Sequence, residues 1–334
     1  MLGLESKYAY ATGRVRVLET RLLDRGRLDR MIDAPDVEGA LKVLAEAGYV
    51  RVQLSERTHP VIEDIMAGEE QKLVTVVRET SPDAQLVEVI TARWDFHNLK
   101  VMLKAKLHRM SPERAIARHG TVNPAIIERA IEGDPRDLAP HFALALEAAK
   151  VAHARRPVPE SIDIAIDREM YRFLLDSAKA LRISFLIRLI RREIDLLNLA
   201  AFFRGRRMGR DKGFVSEALV PGGEVDAAGL AAAYDQPFDT LLQSLAGTGY
   251  EAVAREAISA VSEGKPLTEF ERLSDVAMVR LIREARYAPL GPEPLVGYIY
   301  ARMRELGLVR LILVGKTSGM SRESMRERLR DVYV

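Results

Sequence analysis

The sequence predicts an all-α protein, and three observations predict it. Arg, Leu, Ala and Glu are plentiful along 334 residues. From Glu160 to Arg204 there is neither Gly nor Pro. Clean period-2 runs of β-branched and aromatic residues are scarce, whereas apolar residues recur at helical spacing. The composition is 48% hydrophobic, 29% charged and 6% aromatic, enough to bury a sizeable core in two or three domains.

The elements follow in order. The opening stretch, Met1 to Glu19, is polar and lacks the apolar core of a signal peptide. Loop punctuation falls at Ser81-Pro82, Gly133 to Pro135, Arg156 to Pro159, Val220 to Gly223 and Pro289 to Pro294. The uninterrupted run from 160 to 204 would make one rod of roughly 65 Å. A shift of apolar phase near Leu181–Ser184 makes a break there equally consistent. Val309–Val314 could pass for a strand, but it continues a helical pattern from Tyr298 and is expected to be helix. Ile183–Ile190 and Leu308–Val314, the most apolar segments, are short and broken by Arg, so no membrane span is expected.

An internal repeat organises the chain at a period near 100 residues. Its first element runs from Leu28 through Asp33 and Pro35 to Asp36. It recurs from Ile127 through Glu132 and Pro135 to Asp137, and from Leu230 through Asp235 and Pro237 to Asp239. Each copy reads as a helix that ends, a Pro stop, and an Asp able to cap the next helix. Two copies continue into Leu41 to Gly48-Tyr49 and Leu242 to Gly249-Tyr250, where Gly reads as a C-cap with Tyr packing back. The middle copy keeps only a blurred version near Phe142–Ala149.

The second element is sharper. Asp95, Asn98, Leu99, Lys104 and Lys106 match Asp195, Asn198, Leu199, Arg204 and Arg206 at an offset of 100. A degenerate third copy has Glu305, Leu308, Val309 and Arg310, followed by Lys316. On a helix the Asp and Asn, three apart, are neighbours at the edge of an apolar face that holds the Leu. Asn98 and Asn198 are expected to be buried and hydrogen-bonded to another helix or loop of their own domain, because a buried amide needs partners. The bases fall late in the helix, where its dipole favours cations. A period this long means three copies of a whole small domain, at 1–116, 117–217 and 218–334, expected to close around a pseudo-threefold axis.

Chemistry-bearing constellations are few. Cysteine is absent, which excludes disulfides, thiolate catalysis and Cys-ligated metals. The six histidines, His59, His97, His108, His119, His141 and His153, show no metal-ligand spacing, and His97 and His108 are expected on a solvated face. Gly315-Lys316-Thr317 imitates the tail of a phosphate-binding loop, but Arg310 stands where that loop needs Gly, so a helix end is expected. No nucleophile–base pair appears, and neither catalysis, a cofactor nor a metal is expected. Lys+Arg is 50 against Asp+Glu 48, a balance that argues against a dedicated nucleic-acid binder. Basic clusters at Lys100 to Arg109, Arg204 to Lys212 and Arg322 to Arg330 read either as solvated helix ends or as contacts with acidic groups. Arg204, Arg206 and Arg207 are the candidates for a partner contact, because they lie at a helix end before Gly209 and Gly213.

The triplication with its Asp-x-x-Asn-Leu helices resembles the C subunit of the archaeal and bacterial V/A-type ATP synthases, a relative of the d subunit of eukaryotic vacuolar ATPases. The resemblance extends over nearly the whole chain: Tyr8 to Glu19 near the start, Asp95 to Lys100, Asp195 to Leu199, and Tyr298 through Arg310 at the end. It implies a funnel of three similar helical domains on the cytoplasmic face of a membrane, peripheral to it. It implies partners on two sides, the central shaft subunits and the membrane proteolipid ring. Such a chain is a monomer within a hetero-oligomer. It ties shaft rotation to ring rotation during proton or sodium transport, with no catalytic residues and no cofactor. The residues leave a second reading open, a helical adaptor that binds nucleic acid or protein through its Arg-rich segments.

Overall fold

Residues 4–49, 58–112, 115–329 and 331–334 are described by a computed structural model. Among them there is no strand. The helices are α1 (Leu4–Lys7), α2 (Ala9–Glu19), α3 (Arg25–Asp33), α4 (Val37–Glu46), α5 (Thr58–Thr80), α6 (Ala84–His108), α7 (Pro124–Glu132), α8 (Pro140–Arg155) and α9 (Pro159–Leu181). They continue as α10 (Ser184–Met208), α11 (Lys212–Ala218), α12 (Ala227–Ala233), α13 (Phe238–Ser244), α14 (Glu251–Ser262), α15 (Thr268–Arg283), α16 (Glu293–Thr317) and α17 (Arg322–Arg328). The rod suggested over 160–204 is broken where its apolar phase shifts. Arg182 is left-handed at φ 57° and Ile183 is extended, so α9 ends there and α10 starts afresh. Val309–Val314 lies inside α16, as helix.

The chain forms two compact units. One contains residues 1–87 and 275–334, the other 88–274. In the first, the two ends of the chain share a core. Val309, Ile312 and Leu313 of α16 pack with Leu28, Met31 and Ile32 of α3, Leu44 of α4 and Ile62 of α5. Helix α16 is apolar nearly all round, and it is buried nearly all round.

In the second unit Leu199, Phe202 and Phe203 of α10 are embedded among Val215, Leu230, Leu241, Val253 and Phe270 of the helices that follow. The α8–α9 hairpin packs on α6, with Phe96 against Phe142 and Phe173 at ring separations of 4.7 and 6.1 Å.

Caps explain several boundaries. Asp24, Asn123 and Asp226 accept from backbone N–H groups in the first turns of α3, α7 and α12. Asp36 caps α4, as its sequence position implies. Asp137 and Asp239 do not repeat that role. Helix α8 starts later, behind Ala139, and Asp137 instead accepts from Arg129 at 2.7 Å. Helix α13 starts directly behind Pro237, which puts Asp239 inside its first turn. Gly48 does close α4, at φ 87°, with Tyr49 N–H donating to Leu44 O. Gly249 lies in the turn before α14, beyond the end of α13, so it is not that helix's cap.

Candidate functional site

The acids and amides that the sequence repeats, Asp95, Asn98, Asp195 and Asn198, are turned inward, onto loop backbone. On α10, Asp195 and Asn198 are completely buried beside Leu199. The Asn198 amide forms a two-way bridge with Val220: Nδ2 donates to its carbonyl at 2.8 Å and Oδ1 accepts from its N–H at 2.7 Å. Asp195 accepts from Val225 N–H at 3.0 Å, Glu224 N–H at 3.1 Å and the Tyr250 hydroxyl at 2.9 Å. One helix edge therefore clasps the loop 220–225. Gly223 is the point of closest approach, since a Cβ there would collide with Asp195 Oδ1. Burial pushes the Asp195 carboxyl above its ordinary pKa and outweighs the three donors that pull it down. Burial, with the neighbouring carboxylate, pushes the Tyr250 hydroxyl up as well.

The first copy repeats this geometry on α6. Asn98 bridges Ala117, donating to its carbonyl at 3.0 Å and accepting from its N–H at 2.7 Å. Asp95 accepts from Val122 N–H at 2.9 Å and from the Thr121 hydroxyl at 2.6 Å. Thr121 supplies the hydroxyl that Tyr250 supplies in the second copy. A Cβ on Gly120 would lie 2.5 Å from Asp95 Oδ1, so this glycine matches Gly223. The two copies differ by three residues in the link from helix to loop: Asn98 reaches 19 residues ahead and Asn198 reaches 22, so both partners lie past residues 116 and 217, the ends of the stretches within which they are expected.

The third copy closes across the two ends of the chain. Glu305 of α16 accepts from Leu23 N–H and, at 2.7 Å, from the Tyr49 hydroxyl. Leu23 precedes the cap residue Asp24, as Val122 precedes Asn123 and Val225 precedes Asp226. Leu308 stands at the position of the amide, and a leucine side chain cannot form that bridge. Instead Arg302 pairs with Glu305, stacks 4.5 Å from the Tyr49 ring centre and donates to Glu69 at 2.6 Å. Lys72 donates to Glu69 at 2.6 Å from the exposed side, so Arg302 and the two carboxylates are buried while the second cation reaches in from solvent. Burial pushes the Tyr49 hydroxyl well up.

In the second and third copies a base eleven residues past the acid caps the end of another helix. Arg206 donates to the carbonyls of Tyr234 and Gln236 at the end of α12, and lies 4.6 Å from the Phe238 ring centre. Lys316 donates to the carbonyls of Ile32 and Ala34 at the end of α3, at 3.0 and 2.5 Å. Both cations sit on helix C-terminal carbonyls, where the dipole favours them. In the first copy Lys106 pairs with Glu132 at 2.8 Å, and Lys150 reaches the Ile131 carbonyl at 3.1 Å. Lys316, in the last turn of α16, thus caps α3 rather than its own helix, whose C-cap is Ser318, and Gly315 is buried against Met325.

The basic cluster expected to make a contact divides. Arg206 is engaged internally. Arg204 is exposed and pairs with Glu271 at 2.8 Å. Arg207 is exposed, with no ion-pair partner among the described residues. Lys100 and Lys104 pair with Asp167 and Asp163 of α9. His97 and His108 are exposed. His141 stacks on Phe173, and burial lowers its pKa. The side chain of His59 and all of Arg330 lie outside the described residues. Among the described residues no group of His, Cys, Asp or Glu could hold a metal ion, and no helix is long and apolar enough to cross a membrane.

The sequence missed Gly120 and Gly223, because their offset is 103 rather than 100. It also missed Arg302 and Glu69, whose pairing spans 233 residues.

Buried side chains that clasp the protein's own loops, repeated along one chain, define a helical scaffold built from duplicated parts. Comparison with known proteins makes this particular. The chain belongs to the ATP synthase (C/AC39) subunit family, whose profile matches residues 11–328. It is similar to the C subunit of the V-type sodium ATPase of Enterococcus hirae, 24% identical over 324 residues that cover 96% of this chain and 97% of the relative. The C subunit of the A-type ATP synthase of a Desulfurococcus species is 22% identical, over 96% of this chain and 90% of its own. The C subunit of the V-type ATP synthase of Deinococcus radiodurans is 24% identical, over 92% of this chain and 86% of its own. The family is that of an accessory subunit, not a catalytic one.

Proposed function

We propose that this chain is the non-catalytic central-stalk subunit of a rotary V/A-type ATPase or ATP synthase, which couples the central shaft to the membrane proteolipid ring. It sits at the cytoplasmic face of the membrane, peripheral to it, as one copy in a hetero-oligomer. The match over residues 11–328 carries the reading, because it takes in almost the whole chain rather than one module.

The threefold organisation at 1–116, 117–217 and 218–334, closed as a funnel, belongs to the same proposal. Its support is the clasp: in each copy an acid on a long helix accepts from the residue before the next cap, at Val122, Val225 and Leu23. Each third lends a helix to the third that follows it, and the last lends one to the first. A device that transmits torque must resist deformation, and buried clasps of this kind resist it. Of the cluster at the end of α10, Arg204 and Arg207 are exposed and available to acidic groups of a partner, while Arg206 positions the helix end behind them.

The test is purification of the tagged chain from its native membranes. Shaft subunits and proteolipid should accompany it as one complex. Recovery of the chain with nucleic acid and without those companions, released as salt rises, would instead support the adaptor reading.

A further inference from the structure

The α8–α9 hairpin carries a groove that the clasps do not use. Leu144, Ala148, Val151 and Arg155 follow one another at helical spacing, so they share one face of α8 over about 16 Å. Leu144 and Val151 are 54% and 41% exposed. Beside that face Ile164 of α9 and Phe214 of α11 help to enclose a groove of about 260 Å³. Small side chains, Ala148 and Ala152, line it, so another backbone can come close.

The charge around the groove is unbalanced. Glu217 is answered by Arg156 at 3.5 Å, and Glu169 by Arg172. Arg155 and Arg168 also line it, and among the described residues neither has an ion-pair partner. Two guanidinium groups therefore face solvent from the two helices that flank an apolar groove. Guanidinium forks match carboxylates two bonds at a time, and a groove between helices suits the apolar stripe of a third helix.

We propose that this groove seats an amphipathic helix of another subunit of the same complex. Its apolar stripe lies over Ala148, Val151 and Ile164, and its acidic residues meet Arg155 and Arg168. The inference rests on membership of a multi-subunit complex. It does not depend on which subunits hold the chain from above and below.

The absence of cysteine makes the groove addressable. In a Val151→Cys variant the only thiol of this chain stands on the face of α8 that borders it, between Ala148 and Arg155 of its lining. Maleimide labelling of this chain is compared in the isolated subunit and in the complex purified from membranes. Labelling at least tenfold slower in the complex is expected, and a photo-crosslinker on the thiol should attach to a helical segment that carries acidic residues. Rates within twofold of each other overturn the proposal. So does attachment to lipid, or to a segment without acidic residues. A second variant, Arg155→Glu with Arg168→Glu, changes only side chains that face solvent and should melt like the parent. Its crosslinking yield from position 151 should fall at least tenfold, and an unchanged yield also overturns the proposal. Labelling reads the groove and co-purified companions read the seat, so failure of the shaft-and-ring reading is seen separately.

Discussion

Replacing Asn198 with Leu keeps the size of the side chain and removes only its amide. What it strands can be counted. Val220 is buried, and both its N–H and its carbonyl lose the partner they now hold at 2.7 and 2.8 Å. A buried backbone group left without a partner costs about 1–3 kcal/mol, and a carbonyl less than an N–H, so about 2–4 kcal/mol is expected for the pair. The same change at Asn98 strands Ala117, which is only half-buried. Water can reach it, so about 1–2 kcal/mol is expected there. The two losses should rank Asn198 above Asn98. Denaturant unfolding followed by circular dichroism reads them, with equal slopes as the check that the unfolded states match. Amide exchange over 220–225 shows whether the loss is local to the clasped loop. A folded Asn198→Leu variant that loses under about 0.5 kcal/mol, a change typical of a surface substitution, refutes the reasoning. So does one in which exchange at 220–225 is unchanged.

Other outcomes follow from the same contacts. Gly223→Ala must push Asp195 away from its three donors and should cost about 1–3 kcal/mol by denaturant unfolding, whereas Gly307→Ala, where a Cβ meets nothing, should cost nothing. Asp195 has a folded-state pKa raised above its unfolded value of 3.8. Its protonated form is favoured by folding, so its contribution is fully present below that unfolded value and is lost as pH rises through the folded one. Stability measured across that window should fall with rising pH in the parent, and Asp195→Asn should lack that component. Glu305→Ala leaves Leu23 N–H without its acceptor and Arg302 with one carboxylate instead of two, at a cost of about 3–5 kcal/mol read from thermal or denaturant unfolding. Charge reversal at Arg204 and Arg207 should leave the fold intact and weaken binding to purified shaft or ring by calorimetry, while reversal at Arg206 should lower the melting temperature.

The all-α class, the break before Ser184 and the burial of Asn98 and Asn198 were legible because each has a local cause: a phase shift, or an amide at the edge of an apolar face. Other features have no local cause. The partners of Asp195 and Asn198 lie in a loop whose distance along the chain differs by three residues from that of the first copy, which hides Gly120 and Gly223 from a fixed-period reading. Leu23 is 282 residues from Glu305, and nothing near either residue announces the other. Asp137 and Asp239 look like caps, but the cap positions of their helices are two residues away, at Ala139 and Pro237. Arg206 looks like part of an exposed basic patch, because sequence cannot reveal that two carbonyls of a later helix end beside it.

The proposed linkage of shaft to ring can be reconstituted from its parts. Membranes that carry the proteolipid ring are stripped of their peripheral subunits, then incubated with purified shaft, with and without this chain, and sedimented. Shaft should sediment with the membranes only when the chain is present, with the chain in stoichiometric amount. Shaft that sediments equally well without the chain, or a chain that binds the membranes and leaves the shaft in solution, would contradict the account.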